Sequence, residues 1–225
     1  MKRRHLLSAA AIAAPSILVS KGSQNDELKY IQIGTGHPHA NKIRQYADSP
    51  EWEVIGIVEE DPNLLTNAKE NPTSRDFPFL SLEQALNHPG LDAIGVETEI
   101  ASLLKYTEIA IDAGVHVHLD KPAGADFSKY ETFMAKSDQK NLSVLLGYMY
   151  RFNPAVTLLH KMLKAGWLGQ VFETHAVMSK VIPDSSRQVI DDFAGGTMFE
   201  LGCHIIDLTI GVLGAPDRVS AFPRR

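Results

Sequence analysis

The chain has 225 residues, 44% of them hydrophobic and 22% charged, which is ordinary for a globular protein and long enough for a real core. A formal net charge of -5 argues against a nucleic-acid polyanion as partner. Cys203 is the only cysteine, which excludes an internal disulfide and a cysteine-rich metal cluster.

Residues 1–27 read as a leader. Lys2, Arg3 and Arg4 precede an apolar run from Leu6 to about Val19, followed by a polar stretch. That layout is the one of an export signal. The adjacent arginines, followed by His5, Leu6 and Leu7, resemble a twin-arginine signal. The expected location is periplasmic or otherwise exported, and cytoplasmic if the leader is not read. The apolar run is shorter than the roughly 20 residues that a membrane span needs, and no other run is long enough.

From Leu28 the pattern alternates. KYIQIG reads as a short buried strand and PHANKIRQYADS as a helix; WEVIGIV follows as a second strand, apolar on both faces as a parallel strand between helix layers should be. PNLLTNAKE suits a helix, and SLEQALNH opens with Ser81 and Gln84 in capping-box spacing. LDAIGV is a strand, ASLLKYTEIAIDAG a helix stopped by Gly114, VHVHLD a strand, DFSKYETFMAKSDQK a helix and LSVLLGY a strand. Strands alternating with helices predict a parallel sheet with crossover helices, an α/β Rossmann-type doubly wound domain over residues 28–150.

Residues 151–225 change rhythm. PAVTLLHKMLKAGWLG reads as a helix, VFETHAVMSKVI as a long strand, GGTMFELGCHIIDLTIGVLG as one helix entered through a glycine pair, and DRVSAFP as a last strand. The expectation is a partial α+β substrate or oligomerisation domain, since two strands and two helices do not close a sheet domain alone.

The loop IGTGHPHA poses a choice between phosphate and metal. His37 and His39 have a common ligand spacing, but a closed barrel of the kind that uses such a pair takes about 250 residues, so no metal is expected. The phosphate reading needs a strand, a tight glycine turn, a helix start and an acid about 20 residues on. Lys29 to Ile33, Gly34 with Gly36, Pro38 in the first helical turn, and Glu59 supply these. Glu59, with Glu60 and Asp61 beside it, favours NAD over a cofactor carrying a 2′-phosphate. His39 stands where the third glycine would be, so either the helix stands off or the imidazole points outward along the crevice.

HVHLDKPAG after one strand, GYMYRFNPAV after the next, and AGGTMFELGCHIIDL at the later helix complete a pattern with the glycine loop. Together, from about Leu28 to the C-terminus, they resemble the glucose–fructose oxidoreductase / inositol dehydrogenase (Gfo/Idh/MocA) family. The resemblance implies an NAD-dependent oxidoreductase acting on a sugar, cyclitol or related polyol. It implies Lys121, His204 and Glu200 as catalytic residues. Cofactor contacts are implied at Gly34, Thr35, Gly36, His37, Pro38, Glu59, Thr98, Asp120 and Lys121, with Arg151 at the substrate. Glu200 and His204, four apart, are expected on one helix face with the carboxylate orienting the imidazole. Asp120 replaces the family's usual Glu, Glu200 its usual Asp, and VETEIASLL departs from the usual stretch after the fourth strand. Two other readings stay open: an NAD-dependent glycosidase working by transient oxidation and elimination, and a truncated, nucleotide-binding but non-catalytic product. The resemblance implies a second domain longer than this one, and a homo-oligomer if that domain is complete.

Overall fold

The computed structural model describes residues 27–192 and 195–222. Residues 1–26 of the 1–27 leader, and with them the export signal, lie outside the described residues.

Six parallel strands form one sheet in the order β3-β2-β1-β4-β5-β6, the doubly wound arrangement that the alternation predicts. They are β1 (Leu28–Ile33), β2 (Trp52–Val58), β3 (Phe79–Leu80), β4 (Leu91–Val96), β5 (His116–Leu119) and β6 (Val144–Leu146). β1 pairs with both β2 and β4, so the chain reverses its winding direction between β1 and β4. A crevice opens at the carboxyl ends of such strands.

The strand period of two divides the core. Ile31 and Ile33 face one side, packed with Leu103, Leu104, Ala110 and Ile111 of α4 (Leu103–Asp112) and Phe133 of α5 (Phe127–Gln139). Tyr30 faces the other side with Ile43, Ile57 and Ala93, and its ring stacks on Tyr46 at 3.8 Å. Full burial of each such aliphatic side chain contributes roughly 1.5–3 kcal/mol. Tyr30 fits because Gly95 on β4 has no side chain: a Cβ there would lie 1.8 Å from the tyrosine hydroxyl. That hydroxyl is buried without a hydrogen-bond partner among the described residues.

Local signals set the helix ends. Asp61 caps α2 (Pro62–Glu70), accepting from the N–H groups of Asn63 and Leu64. Ser81 and Gln84 form the expected capping box of α3 (Leu82–Leu86). Gly114, with φ of 80°, follows α4 in a left-handed conformation. β3 carries no alternation in its two residues and is held by pairing Ile57 with Phe79 and Val58 with Leu80.

Three expectations differ from the structure. The helix expected after the glycine loop is only a 3₁₀ turn (Ala40–Lys42) followed by α1 (Ile43–Ala47). The late helix is two, α8 (Gly196–Glu200) and α9 (Gly202–Leu213), with a break at Leu201. The strands expected at VFETHAVMSKVI and DRVSAFP do not form among the described residues, where that region is helical and irregular. Their alternating apolar side chains lie in solvent, Phe172 at 89% and Val181 at 93% exposure, and no described strand offers them a ladder. β-propensity without a partner strand does not make a strand. The remaining elements are α6 (Pro154–Lys164), capped by Asn153, and α7 (Asp184–Asp191).

Candidate functional site

The crevice begins at the turn after β1. Gly34 takes φ of 91°, and a Cβ on it would lie 2.7 Å from the Thr98 backbone, so only glycine lets the two strand ends approach. Gln32 braces the turn from below, its Nε2 donating to the carbonyls of Gly34 and Ala40 at 3.1 Å each. Thr35 donates from its N–H (2.8 Å) and its hydroxyl (2.6 Å) to Glu59, which fixes the acid at the loop. A carboxylate at the end of β2 beside a glycine turn is what the ribose of a dinucleotide requires. A Cβ on Gly36 would meet only the tip of the exposed Glu99 side chain, at 2.5 Å, which can swing aside. The residues present therefore fit a dinucleotide.

His37 and His39 serve different ends. The His37 ring is buried; its Nε2 meets the Lys121 carbonyl at 3.0 Å, and its Nδ1 accepts the N–H of His39. It ties the loop to the end of β5. His39 takes the second of its two expected courses: its ring points along the crevice, 34% exposed, with Nδ1 3.2 Å from an Asp120 carboxylate oxygen.

Beneath them lies a charge cluster that the sequence reading missed. Lys42 places its ammonium 2.6 Å from Asp120 and 2.8 Å from Glu97, both carboxylates having no exposure. Burial would raise the pKa of Asp120, but the His37 and His39 imidazoles beside it and the Lys42 charge hold it well below the usual carboxylate range. Glu97 shows the reverse balance. Neither of its oxygens receives a well-directed hydrogen bond, Lys42 notwithstanding, and burial pushes its pKa up to about 8. Burial and the nearby Lys42 likewise push His118 down to about 4; its ring meets the Tyr46 hydroxyl at 2.7 Å. Glu97 was reachable from sequence only as the first residue after the β4 run, where the same position on β5 is Asp120. His37, His39 and Asp120 bring ligand atoms within 4.8 Å of one another, a donor set that suits a transition metal. Lys42 already supplies a cation to the same carboxylate.

Lys121 follows Asp120 out of the sheet. It is 2% exposed, and its Nζ pairs with a Glu200 carboxylate oxygen at 2.8 Å, which brings α8 to the end of β5. The structure thus joins two of the three expected catalytic residues. It does not join Glu200 to His204: no hydrogen bond links them, because the break at Leu201 disrupts the four-residue spacing and Lys121 takes the carboxylate. The His204 imidazole, 6% exposed, packs near the rings of Tyr148 and Tyr150 at 6.3 and 5.4 Å, and its Nδ1 has no partner among the described residues. Burial first and the Lys121 charge second lower its pKa, which favours the neutral imidazole.

Arg151, expected at the substrate, forms a two-pronged pair with Asp207 on α9, with Nε at 3.0 Å and Nη2 at 2.5 Å, and lies over the Tyr148 ring. A cavity of about 260 Å³ opens beside this pair, lined by Tyr150, Val156 and His160 among others. Thr98 is buried against Gly34 and donates its hydroxyl to the Glu99 carbonyl. Pro38 sits in the turn before the 3₁₀ segment.

The comparisons with known proteins fit this geometry. Residues 28–148 match the family model described as an oxidoreductase family with an NAD-binding Rossmann fold, and residues 156–225 match a GFO/IDH/MocA C-terminal domain. This chain belongs to the Gfo/Idh/MocA oxidoreductase family. A D-xylose 1-dehydrogenase (NADP(+)) of Haloferax volcanii is 30% identical over 191 residues, 84% of this chain and 58% of that one. A scyllo-inositol 2-dehydrogenase (NADP(+)) of Bacillus subtilis is 27% identical over 164 residues, 70% of this chain and 46% of that one. The chain spans about half the length of the curated relatives it matches. Among solved structures, a Listeria innocua NAD-binding protein superposes with a TM-score of 0.69 at 18% identity, covering 84% of this chain and 55% of that one. An Agrobacterium radiobacter oxidoreductase, described in complex with NAD+, L-tartaric acid and magnesium, gives 0.67 at 18% identity, covering 84% and 55%. Among the described residues no helix is long and apolar enough to cross a membrane.

Proposed function

We propose that this Gfo/Idh/MocA protein is an NAD-dependent oxidoreductase that removes hydride from a secondary carbinol of a small sugar, cyclitol or related polyol, or returns it. The observation that carries the reading is the meeting of Lys121 and Glu200 at 2.8 Å at the carboxyl end of β5, beyond the glycine turn and with His204 close by. The sugar and cyclitol names of the xylose and scyllo-inositol dehydrogenases support the substrate class. Glu59 supports NAD: its carboxylate, held by Thr35, repels a 2′-phosphate, although both of those relatives are named for NADP.

NAD, when bound, accepts the hydride; that chemistry belongs to the cofactor. This chain's own residues handle the proton and the charge. His204, kept neutral by its burial and by Lys121, is the group that takes the hydroxyl proton. Lys121 stabilises the oxygen as negative charge grows on it, and its buried position makes that stabilisation stronger than in water. Glu200 holds the ammonium in place. The Arg151–Asp207 pair fixes Tyr148 and Tyr150 beside the imidazole, so Arg151 acts by positioning. Export by a twin-arginine route, with the cofactor loaded before a folded transit, remains part of the proposal from the leader alone.

The test is a panel of pentoses, hexoses and inositols with NAD or NADP, followed by nicotinamide absorbance in the purified full chain. Reduction of NAD by at least one polyol, above that of NADP, is expected. An inert panel with both cofactors would overturn the reading.

A further inference from the structure

The turn after β1 has few backbone donors left for a phosphate. The N–H of Gly34 bonds to the Val58 carbonyl, that of Thr35 to Glu59, that of His37 to the Glu97 carbonyl, and that of Ala40 to the His37 carbonyl. The N–H of His39 goes to His37 Nδ1, and Pro38 has none. Gly36 is the one amide between residues 34 and 40 without an internal partner among the described residues. The short 3₁₀ turn that follows adds little dipole. A pyrophosphate at this turn therefore meets one free amide, where loops of this type normally offer several.

His39 stands where that deficit falls. Its Nδ1 is anchored on Asp120, its Nε2 has no partner among the described residues, and its ring is partly open to the crevice that His204 shares. A doubly protonated imidazole can donate Nδ1–H to Asp120 and Nε2–H outward at the same time. The charged groups around it are Asp120 and Lys121 from the end of β5, Lys42 behind Asp120, His37 with Glu97 behind it, His204 from α9, and Glu99 across the turn.

We propose that His39, in the place of the third glycine, is the side chain that holds the dinucleotide pyrophosphate, supplying the donor and the positive charge that the backbone withholds. The proposal rests on the dinucleotide reading of the crevice.

Affinities of NADH, ADP-ribose and adenosine for the full chain distinguish the two. The comparison is wild type against His39→Gly, which rebuilds the three-glycine pattern, and His39→Gln, which keeps the bulk without the charge. Both variants are expected to lose about tenfold in affinity for NADH and ADP-ribose while adenosine binds as in wild type. Circular dichroism and the melting temperature check that the variants are folded. His39→Gly binding ADP-ribose as tightly as wild type, or more tightly, overturns the proposal. So does an equal loss for adenosine, which would mean a deformed crevice. Loss of wild-type ADP-ribose binding on adding EDTA also overturns it, since the cation would then be a metal at His37, His39 and Asp120. A wild-type chain that binds none of the three ligands removes the dinucleotide reading itself, and this proposal with it.

Discussion

Residues 28–148 and residues 154–222 treat their apolar side chains in opposite ways. The first region buries Tyr30, Ile31, Ile33, Ile57, Ile94, Val96, Leu119 and Phe133 on the two faces of one sheet, and each is 2% exposed or less. The second leaves Trp167, Phe172, Val177, Val181, Val219 and Phe222 more than 70% exposed, and α6 contains no buried residue. Yet the proposed chemistry needs both, because Lys121 comes from the first region and Glu200 and His204 from the second. A cofactor site can be as rigid as the sheet beneath it. The proposed catalytic pair, Lys121 and His204, is only as well placed as the Lys121–Glu200 contact and the ring packing around His204 make it.

The largest effect expected is in the sheet. Gly95→Ala drives a methyl into the Tyr30 hydroxyl and should cost about 3 kcal/mol, read from denaturant unfolding. An unchanged midpoint would mean that the first region is less tightly packed than its burial implies.

The next effect depends on pH. Glu97 has its pKa raised from 4.5 to about 8 by burial, so between those values the folded state keeps a proton that the unfolded state has released. Stability attributable to this group therefore falls as pH rises through that window and levels off above it. Glu97→Gln removes the dependence, and the stability difference between variant and wild type should grow by on the order of 3 kcal/mol from pH 5 to pH 8. A constant difference would show that Lys42 fully compensates the buried carboxylate.

Tyr30→Phe removes an unpartnered buried hydroxyl and should be neutral or stabilising by up to about 1 kcal/mol. A loss instead would reveal a partner for that hydroxyl. Smallest of all, Phe172→Ser in the second region should change stability by less than about 0.5 kcal/mol, since the ring is 89% exposed. A large loss there would show that the exposed side chains are covered in solution.

Much of the first region was legible because its rules are local. Short apolar runs, apolar on both faces in β2, mark β1, β2 and β4, the Ser81–Gln84 box marks α3, and Gly114 marks the end of α4. In the second region the rough alternation of VFETHAVMSKVI predicts a strand, but alternation specifies one only when another strand is there to pair. The site divided along the same line. Gly34, Glu59 and Lys121 sit at strand ends whose positions the sequence pattern sets. The Lys42–Glu97–Asp120 cluster joins three separate elements, so no spacing could reveal it. The four-residue spacing of Glu200 and His204 predicts a hydrogen-bonded pair only within an unbroken helix, and Leu201 breaks this one.

The central claim is that the first region holds the cofactor while catalysis depends on Lys121 reaching the second. Lys121→Met keeps the bulk of the side chain and removes its charge, so NADH affinity and turnover can be measured on one preparation. The account predicts that NADH affinity stays within about threefold while kcat falls by roughly 100-fold or more. Turnover that survives the substitution would contradict it.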